Sequence, residues 1–419
     1  MSYPKGKPNL ETGKEMLIGA YWAPEPSVDA YKLCKDCNFT HLLVNPTKGN
    51  PVSNKDFATK TLDYAKKAGI NIIYHCNNHS YKSLKDHFDV IRKDKTCTGI
   101  FVWDEPPYDK FEMLGQEYED FKKDFPDMPY YVNTWPVYSC KEQRGIQSYY
   151  RYLDAYTHEV VEKLDQKHRA FFCDIYPMLL DEKIYDKWLF NVEYVRDLAD
   201  SVNADLYLFF IAQSFSDRRQ HTIPEEYLFQ TNVYLAYGVK GLSYCPYQTP
   251  FEGDDPNNPT TDPGIVHIDG TPSPVYPLAK KNNEYIQKID SVYLGFKWRG
   301  IIPIDGVNGY HAKNPILRQC NNFVPRCGML DWPNYTATDS ALVGCFDNEE
   351  GYQAFMIVNF TEPLHKLDNT ITLKFDEPVN KAVVYINGEP SVYDIVDGVF
   401  KITLHGGGEG AFVIPYIED

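Results

Sequence analysis

A chain of 419 residues that is 43% hydrophobic and 15% aromatic can bury a large core and is long enough for two or three domains. Its net charge of −16, with no basic run, argues against nucleic acid or an anionic membrane as a partner. It also disfavours an anionic polysaccharide unless a local basic pocket overrides the field, and no stretch reaches the ~18 consecutive apolar residues of a membrane span.

The start, Met1–Lys14, is polar and lacks the apolar stretch of a signal peptide, so the protein is either cytoplasmic or exported with its signal removed. From there, short apolar runs alternate with charge-decorated helical stretches. The runs are Met16–Trp22, His41–Asn45, Asn71–His75, Gly99–Trp103, Tyr130–Thr134, Ala170–Tyr176, Leu206–Gln213 and Gly241–Tyr247. Between them lie amphipathic segments at Lys55–Ala68, Tyr81–Lys93, Phe111–Phe125, Tyr149–Gln166, Tyr185–Val202 and Glu225–Tyr237. Repeated strand–helix units imply parallel pairing with right-handed crossovers. Eight of them within roughly 250 residues predict an α/β chain built on a (β/α)8 TIM barrel. A doubly wound open sheet is the runner-up, but no Gly-rich phosphate loop follows the first run.

The fourth run ends in Asp104-Glu105-Pro106-Pro107. Two carboxyls at the end of a buried strand are costly, and a carboxyl in a partly dry, aromatic-lined mouth has its pKa raised, as a general acid near neutral pH requires. A strand-end Asp capping the next turn, with Glu105 in solvent, explains this segment equally well taken alone.

After Tyr247 the texture changes. Gln248–Ser273 is rich in Pro, Gly, Asp and Asn and reads as a long mouth loop, followed by a last helix at Val275–Ile289. From Lys297 onward, short alternating strands predict a small antiparallel β-sandwich, with Asn387-Gly388 as a hairpin turn. The expected division is a barrel at 1–296 and a sandwich at 297–419, the latter serving packing and orientation. Gly406-Gly407-Gly408 reads as a flexible connection.

Ten cysteines are scattered along the chain. Cys34 and Cys37 form a lone C-x-x-C, too few ligands for zinc, so neither a metal nor a cofactor is expected. Cys76, Cys173 and Cys245 read as small core residues, and Cys320 with Cys327 as a candidate loop disulfide.

In a barrel, polar residues at the strand C-termini share one mouth. Here these are Tyr21 and Trp22, Asn45, His75 with Asn77 and Asn78, Asp104 and Glu105, Asn133 and Trp135, Asp174 and Tyr176, Gln213, and Tyr244 with Tyr247. Each alone has a plain structural reading; together they describe amides, hydroxyls, carboxyls and flat aromatic faces suited to a neutral, hydroxyl-rich ligand. Trp22, Trp103 and Trp135 are candidate stacking platforms, and core roles are equally open to each. Arg218 and Arg219, after the seventh run, read as a solvated pair, with contact to an acidic sugar as the lesser alternative.

The layout resembles a glycoside hydrolase. Clan A barrel glycosidases place their acid/base Glu at the end of the fourth strand, often before Pro, and Trp103-Asp104-Glu105-Pro106 stands at that place. The resemblance therefore implies that Glu105 is the general acid. Ala236–Tyr244 resembles the approach to the last strand of β-galactosidase-like barrels, and Gly264–Tyr276, with Asp269-Gly270-Thr271-Pro272, resembles their closing loop. One departure stands out: clan A enzymes carry a nucleophile Glu on the seventh strand, where Phe209–Phe215 here offers Gln213, an amide that cannot attack an anomeric carbon. Either Asp174 supplies the second carboxylate, or the Asp104-Glu105 pair acts as in the similar hexosaminidases of families 20 and 123, with the substrate's acetamido oxygen as nucleophile. In that case Asp104 orients the acetamide. The expected function is a glycosidase acting on a neutral or N-acetylated oligo- or polysaccharide. The alternatives are an inactive barrel that binds carbohydrate, or a lyase or isomerase on the same scaffold.

Overall fold

The structure, a computed structural model, describes residues 3–9, 11–44, 55–181, 183–250, 262–305, 314–320, 323–325, 327, 329–330, 334–376 and 378–418. Eight parallel strands close a barrel in chain order: β1 (Leu17–Tyr21), β2 (His41–Val44), β3 (Asn71–His75), β4 (Cys97–Asp104), β5 (Tyr130–Thr134), β6 (Ala170–Asp174), β7 (Asp205–Ile211) and β8 (Gly241–Cys245). β8 pairs back onto β1, with Leu17 opposite Gly241 and Ala20 opposite Tyr244. The predicted TIM barrel is therefore the observed one.

Alternation along each strand divides the apolar residues between two cores. Ile18, Leu42, Ile72, Ile100 and Leu208 face the surrounding helices. Leu43, Ile73, Phe101, Tyr131, Phe172 and Phe209 fill the barrel interior. Rings plug this interior, with Phe172 stacked on Tyr207 at 4.7 Å, so the barrel axis is closed and the mouth at the strand C-termini lies above the plug.

The helix Lys55–Ala68 buries Ala58, Thr61, Leu62 and Ala65, the 3.6-residue stripe that identifies it in sequence. Two predicted helices are shorter than their patterns. Tyr81–His87 is a 3-10 helix followed by one turn at Phe88–Ile91, because Tyr81, Leu84 and His87 recur every third residue and all three are buried. Tyr149–Glu159 ends early, and Val161–Lys163 and Gln166–His168 continue as 3-10 turns. There the Glu159 carbonyl fills the space that a Gly115 Cβ would occupy on the helix Phe111–Asp124.

The helix Tyr276–Tyr293 completes the barrel layer, and β9 (Lys297–Ile304) begins the sandwich. Two antiparallel sheets follow. β10 (Tyr335–Ala337), β13 (Asn369–Lys374) and β16 (Val399–Leu404) form one; β15 (Glu389–Asp394), β14 (Lys381–Ile386), β17 (Gly410–Tyr416), β12 (Gln353–Asn359), β11 (Ala341–Asp347) and β9 form the other. The β14–β15 hairpin turns on Asn387 and Gly388, both at positive φ (51° and 83°), as a two-residue hairpin requires. The disulfide expected between Cys320 and Cys327 is not formed. Neither is in a disulfide: Cys320 Sγ lies 3.6 Å from the Tyr237 hydroxyl, and the Cys327 side chain is in hydrogen-bonding contact with Cys345. Among the described residues, no helix is long and apolar enough to cross a membrane.

Candidate active site

The site begins with an irregularity in β4. Phe101 faces the interior and pairs with Tyr131, but the next pair is Trp103 with Val132, so β4 carries one extra residue. Val102 and Trp103 both turn outward to the helix-facing core, and Asp104 comes round to the interior. Glu105 then adopts φ 54°, a left-handed conformation uncommon for a non-glycine residue, with its N–H donating to the Asn133 carbonyl at 3.0 Å. The bulge and the left-handed turn together bring two neighbouring carboxyls into one cavity, which regular alternation forbids.

Asp104 is held from three sides. The Tyr21 hydroxyl donates to Oδ2 at 2.6 Å, Asn133 Nδ2 donates to Oδ1 at 3.0 Å, and Asn78 Oδ1 accepts the Asp104 backbone N–H at 2.8 Å. The same Asn133 Nδ2 lies 3.1 Å from Asp174 Oδ1, so one amide ties together the ends of β4, β5 and β6. Glu105 and Asp174 lie within hydrogen-bonding reach of each other, and both carboxyls are raised, Glu105 the more strongly. Burial, then the neighbouring charges of Asp174 and Asp104, push the Glu105 carboxyl far above its usual range. Burial and the Asp104 charge raise Asp174, and burial raises Asp104. Three carboxyls packed this closely cannot all ionise at neutral pH.

The cavity above them has a volume of about 680 Å³, a size that suits a small-molecule ligand. Trp22, Trp135, Tyr138 and Tyr176 wall it, and Gln213 sits on its β7 side. The indole N–H of Trp135 is buried there without an acceptor. A second cavity of about 340 Å³ opens on the other side of the Tyr21–Trp22–Asp104 seam and is lined by His75, Asn77 and Asn78. His75 is 3% exposed, and burial drives its pKa down to about 3, so the ring is neutral at pH 7. Its Nδ1 accepts the Asn77 N–H at 3.3 Å, which leaves the proton on Nε2, and that N–H is without a partner. Trp22, Asn77, Asn78, Glu105 and Ser216 all have φ between 53° and 59°, so backbone strain gathers around the mouth at ~1–3 kcal/mol per residue.

With the barrel and this mouth described, the chain can be set beside known proteins. Two solved structures from Bacteroides fragilis, named as putative alpha-galactosidases, match 96% and 95% of this chain and 79% of each of theirs, at 9% identity and TM-scores of 0.51 and 0.50. An endo-beta-1,4-mannanase from Thermotoga petrophila matches 98% of this chain and 100% of its own, at 11% identity and a TM-score of 0.45. At such identities the likeness is one of fold, and it is the two Bacteroides fragilis structures that carry it. No family model matches the sequence, and no curated protein sequence matches it either.

The mouth gathers most of the residues that the sequence singles out. Trp22, Asp104, Glu105, Asn133, Trp135, Asp174, Tyr176 and Gln213 line the larger cavity, and His75 and Asn77 the smaller. Asn45 lies outside the described residues. Three expectations are corrected. Trp103 packs against the helix-facing core, because the β4 bulge reverses its side. Tyr244 also points outward, since Cys245 is the β8 residue that reaches the cavity; its ring meets Phe39 and Phe210, and its hydroxyl accepts from Asn282 Nδ2 at 2.7 Å. Tyr247 is buried with its ring edge on Phe39, its N–H donating to the Tyr21 carbonyl.

Arg218 and Arg219 are not a solvated pair. Arg218 lines the larger cavity, and Arg219 is paired with the fully buried Glu226 at 2.5 Å. Sequence reasoning also passes over Tyr138, which sits in the short turn after β5. Its place in the cavity wall depends on a contact with Arg218, eighty positions away in the chain, which no local pattern announces.

Proposed function

We propose that the chain is a glycoside hydrolase with Glu105 as its general acid. The observation that carries this reading is the buried carboxyl cluster of Asp104, Glu105 and Asp174 in an aromatic-walled barrel mouth, where burial and the neighbouring charges favour the protonated form of Glu105. A protonated carboxyl at neutral pH is what departure of a sugar oxygen requires.

The second carboxylate in this reading is Asp104. Two carboxyls within hydrogen-bonding reach of each other stand closer than the ~5–5.5 Å of retaining pairs or the ~6.5–9.5 Å of inverting pairs, which disfavours Asp174 as the group across the scissile bond from Glu105. Asp174 instead orients the acid. Asp104, fixed by Tyr21 and Asn133, is suited to hold a substrate acetamide N–H while the acetamido oxygen attacks. That role follows the resemblance to family 20 and 123 hexosaminidases, and it explains how a barrel with Gln213 in place of a seventh-strand carboxylate can turn over. The substrate class is accordingly an N-acetylated oligo- or polysaccharide.

A screen of chromogenic glycosides, with the anomer of the first product followed by NMR, tests this. Hydrolysis confined to acetamido sugars with retention, lost in Asp104→Asn, is the expected result. Broad hexoside activity that disappears in Asp174→Asn would move the second role to Asp174. Tight oligosaccharide binding with no turnover of any glycoside would make the barrel a binding protein.

A further inference from the structure

We propose that Arg218 forms an anion subsite in the mouth, shaped for a carboxylate carried by the sugar substrate. The inference rests on the reading that this mouth binds a saccharide, but not on hydrolysis.

The turn after β7 delivers the side chain. Phe215 and Arg218 exchange both backbone hydrogen bonds, at 3.0 and 2.9 Å, around a two-residue turn with Ser216 at φ 53°. The neighbouring backbone is pinned to the segment after β6: Leu180 N–H donates to the Asp217 carbonyl, and Arg219 N–H to the Met178 carbonyl. Arg218 is thereby pushed inward and is 2% exposed. Its guanidinium carbon lies 4.1 Å from the centroid of Tyr138 and 4.7 Å from that of Tyr185, two rings that meet edge to face.

The charge of Arg218 is poorly answered. Among the described residues its ion-pair partner is Asp217, at 2.7 Å from Nη1, and Asp217 is 72% exposed, a kind of pair that contributes little. Nε is buried without a hydrogen-bond acceptor, and the exposed Asp217 carboxylate is the acidic group beside Nη1. Arg219, one residue on, shows the closed alternative, held by the buried carboxylate of Glu226. A buried cation with open donors is costly unless something supplies the acceptors. Arg218 lines the same cavity as Asp104 and Glu105, and among the described lining residues it is the one cation. A guanidinium presents a planar fork of donors that matches a planar carboxylate with two parallel bonds. The overall charge of −16 does not prevent this, since contact inside a water-poor cavity outweighs a screened surface field.

The test is a binding titration of the whole protein with glucuronic acid, galacturonic acid and short oligouronides, each against its neutral parent sugar, and with glucose 6-sulfate. A uronate is expected to bind about 10- to 100-fold tighter than its parent, the scale of charge-assisted bonds. In Arg218→Gln the ratio of uronate to neutral-sugar affinity should fall to about one. In Arg218→Lys, which keeps the charge but not the fork, it should fall to an intermediate value. Tighter binding of the sulfate than of any uronate supports the subsite and assigns it to a sulfate ester. Equal affinity for charged and neutral sugars, or a preference that survives in Arg218→Gln, overturns the proposal. Uronate preference in a protein that hydrolyses no glycoside would sink the hydrolase reading and leave this one standing.

Discussion

Glu105 carries both the chemistry and a cost. Its carboxyl ionises at ordinary acidity in the unfolded chain but keeps its proton in the fold, because burial and the charges of Asp174 and Asp104 oppose ionisation. The folded state therefore binds the extra proton, and stability is full below the unfolded value near 4.5 and declines as pH rises toward the folded one. Glu105→Gln cannot ionise and escapes that decline. Its melting temperature relative to wild type should rise between pH 4.5 and pH 8.5; a difference that stays flat with pH would show that the carboxyl is already ionised in the fold. The Asp104-Glu105 pair was visible in the sequence because two acidic residues closing an apolar run are unusual. That both enter one cavity was not visible, since it depends on the extra residue in β4 and on a positive φ at Glu105, neither of which has a residue-type signature.

At the scale of elements, the barrel was legible because each run and each helix carries its own period, as Ala58, Thr61, Leu62 and Ala65 do on one helix. Where side chains meet across elements, the pattern fails. Trp103 and Tyr244 sit at strand ends but on the outer face, one through a bulge and the other through strand parity. The early end of the helix at Glu159 is set by Gly115, whose missing side chain admits the Glu159 carbonyl. Gly115→Ala should lower the urea midpoint, by ~1–3 kcal/mol of overpacking, while specific activity per folded molecule is retained. An unchanged midpoint would mean that the two helices are not in contact as described.

Across the whole molecule, the helix Pro224–Ala236 joins barrel to sandwich. It is buried on nearly every side, with Tyr227 against Phe210 of the barrel and Phe229 against Phe360 of the sandwich. Trp298 Nε1 donates to the Ala236 carbonyl at 2.8 Å, Asn232 Nδ2 donates to the Gly408 carbonyl at 2.8 Å, and Gly344 leaves no room for a Cβ beside Ala236. In the sequence this helix reads as one more barrel crossover; its contact with Gly344 joins residues more than a hundred positions apart. Gly344→Val should break the shared unfolding of the two parts, giving an earlier or split thermal transition with KM unchanged. A single transition at the wild-type temperature would show that the interface contributes nothing.

The central claim, proton donation by Glu105, is tested most directly by comparing Glu105→Gln with wild type on aryl glycosides of poor and good leaving groups. The account predicts that kcat falls by about 10²–10⁴ on the poor leaving group and far less on an activated one, which needs little protonation. An equal loss on both, or no loss on either, would contradict it.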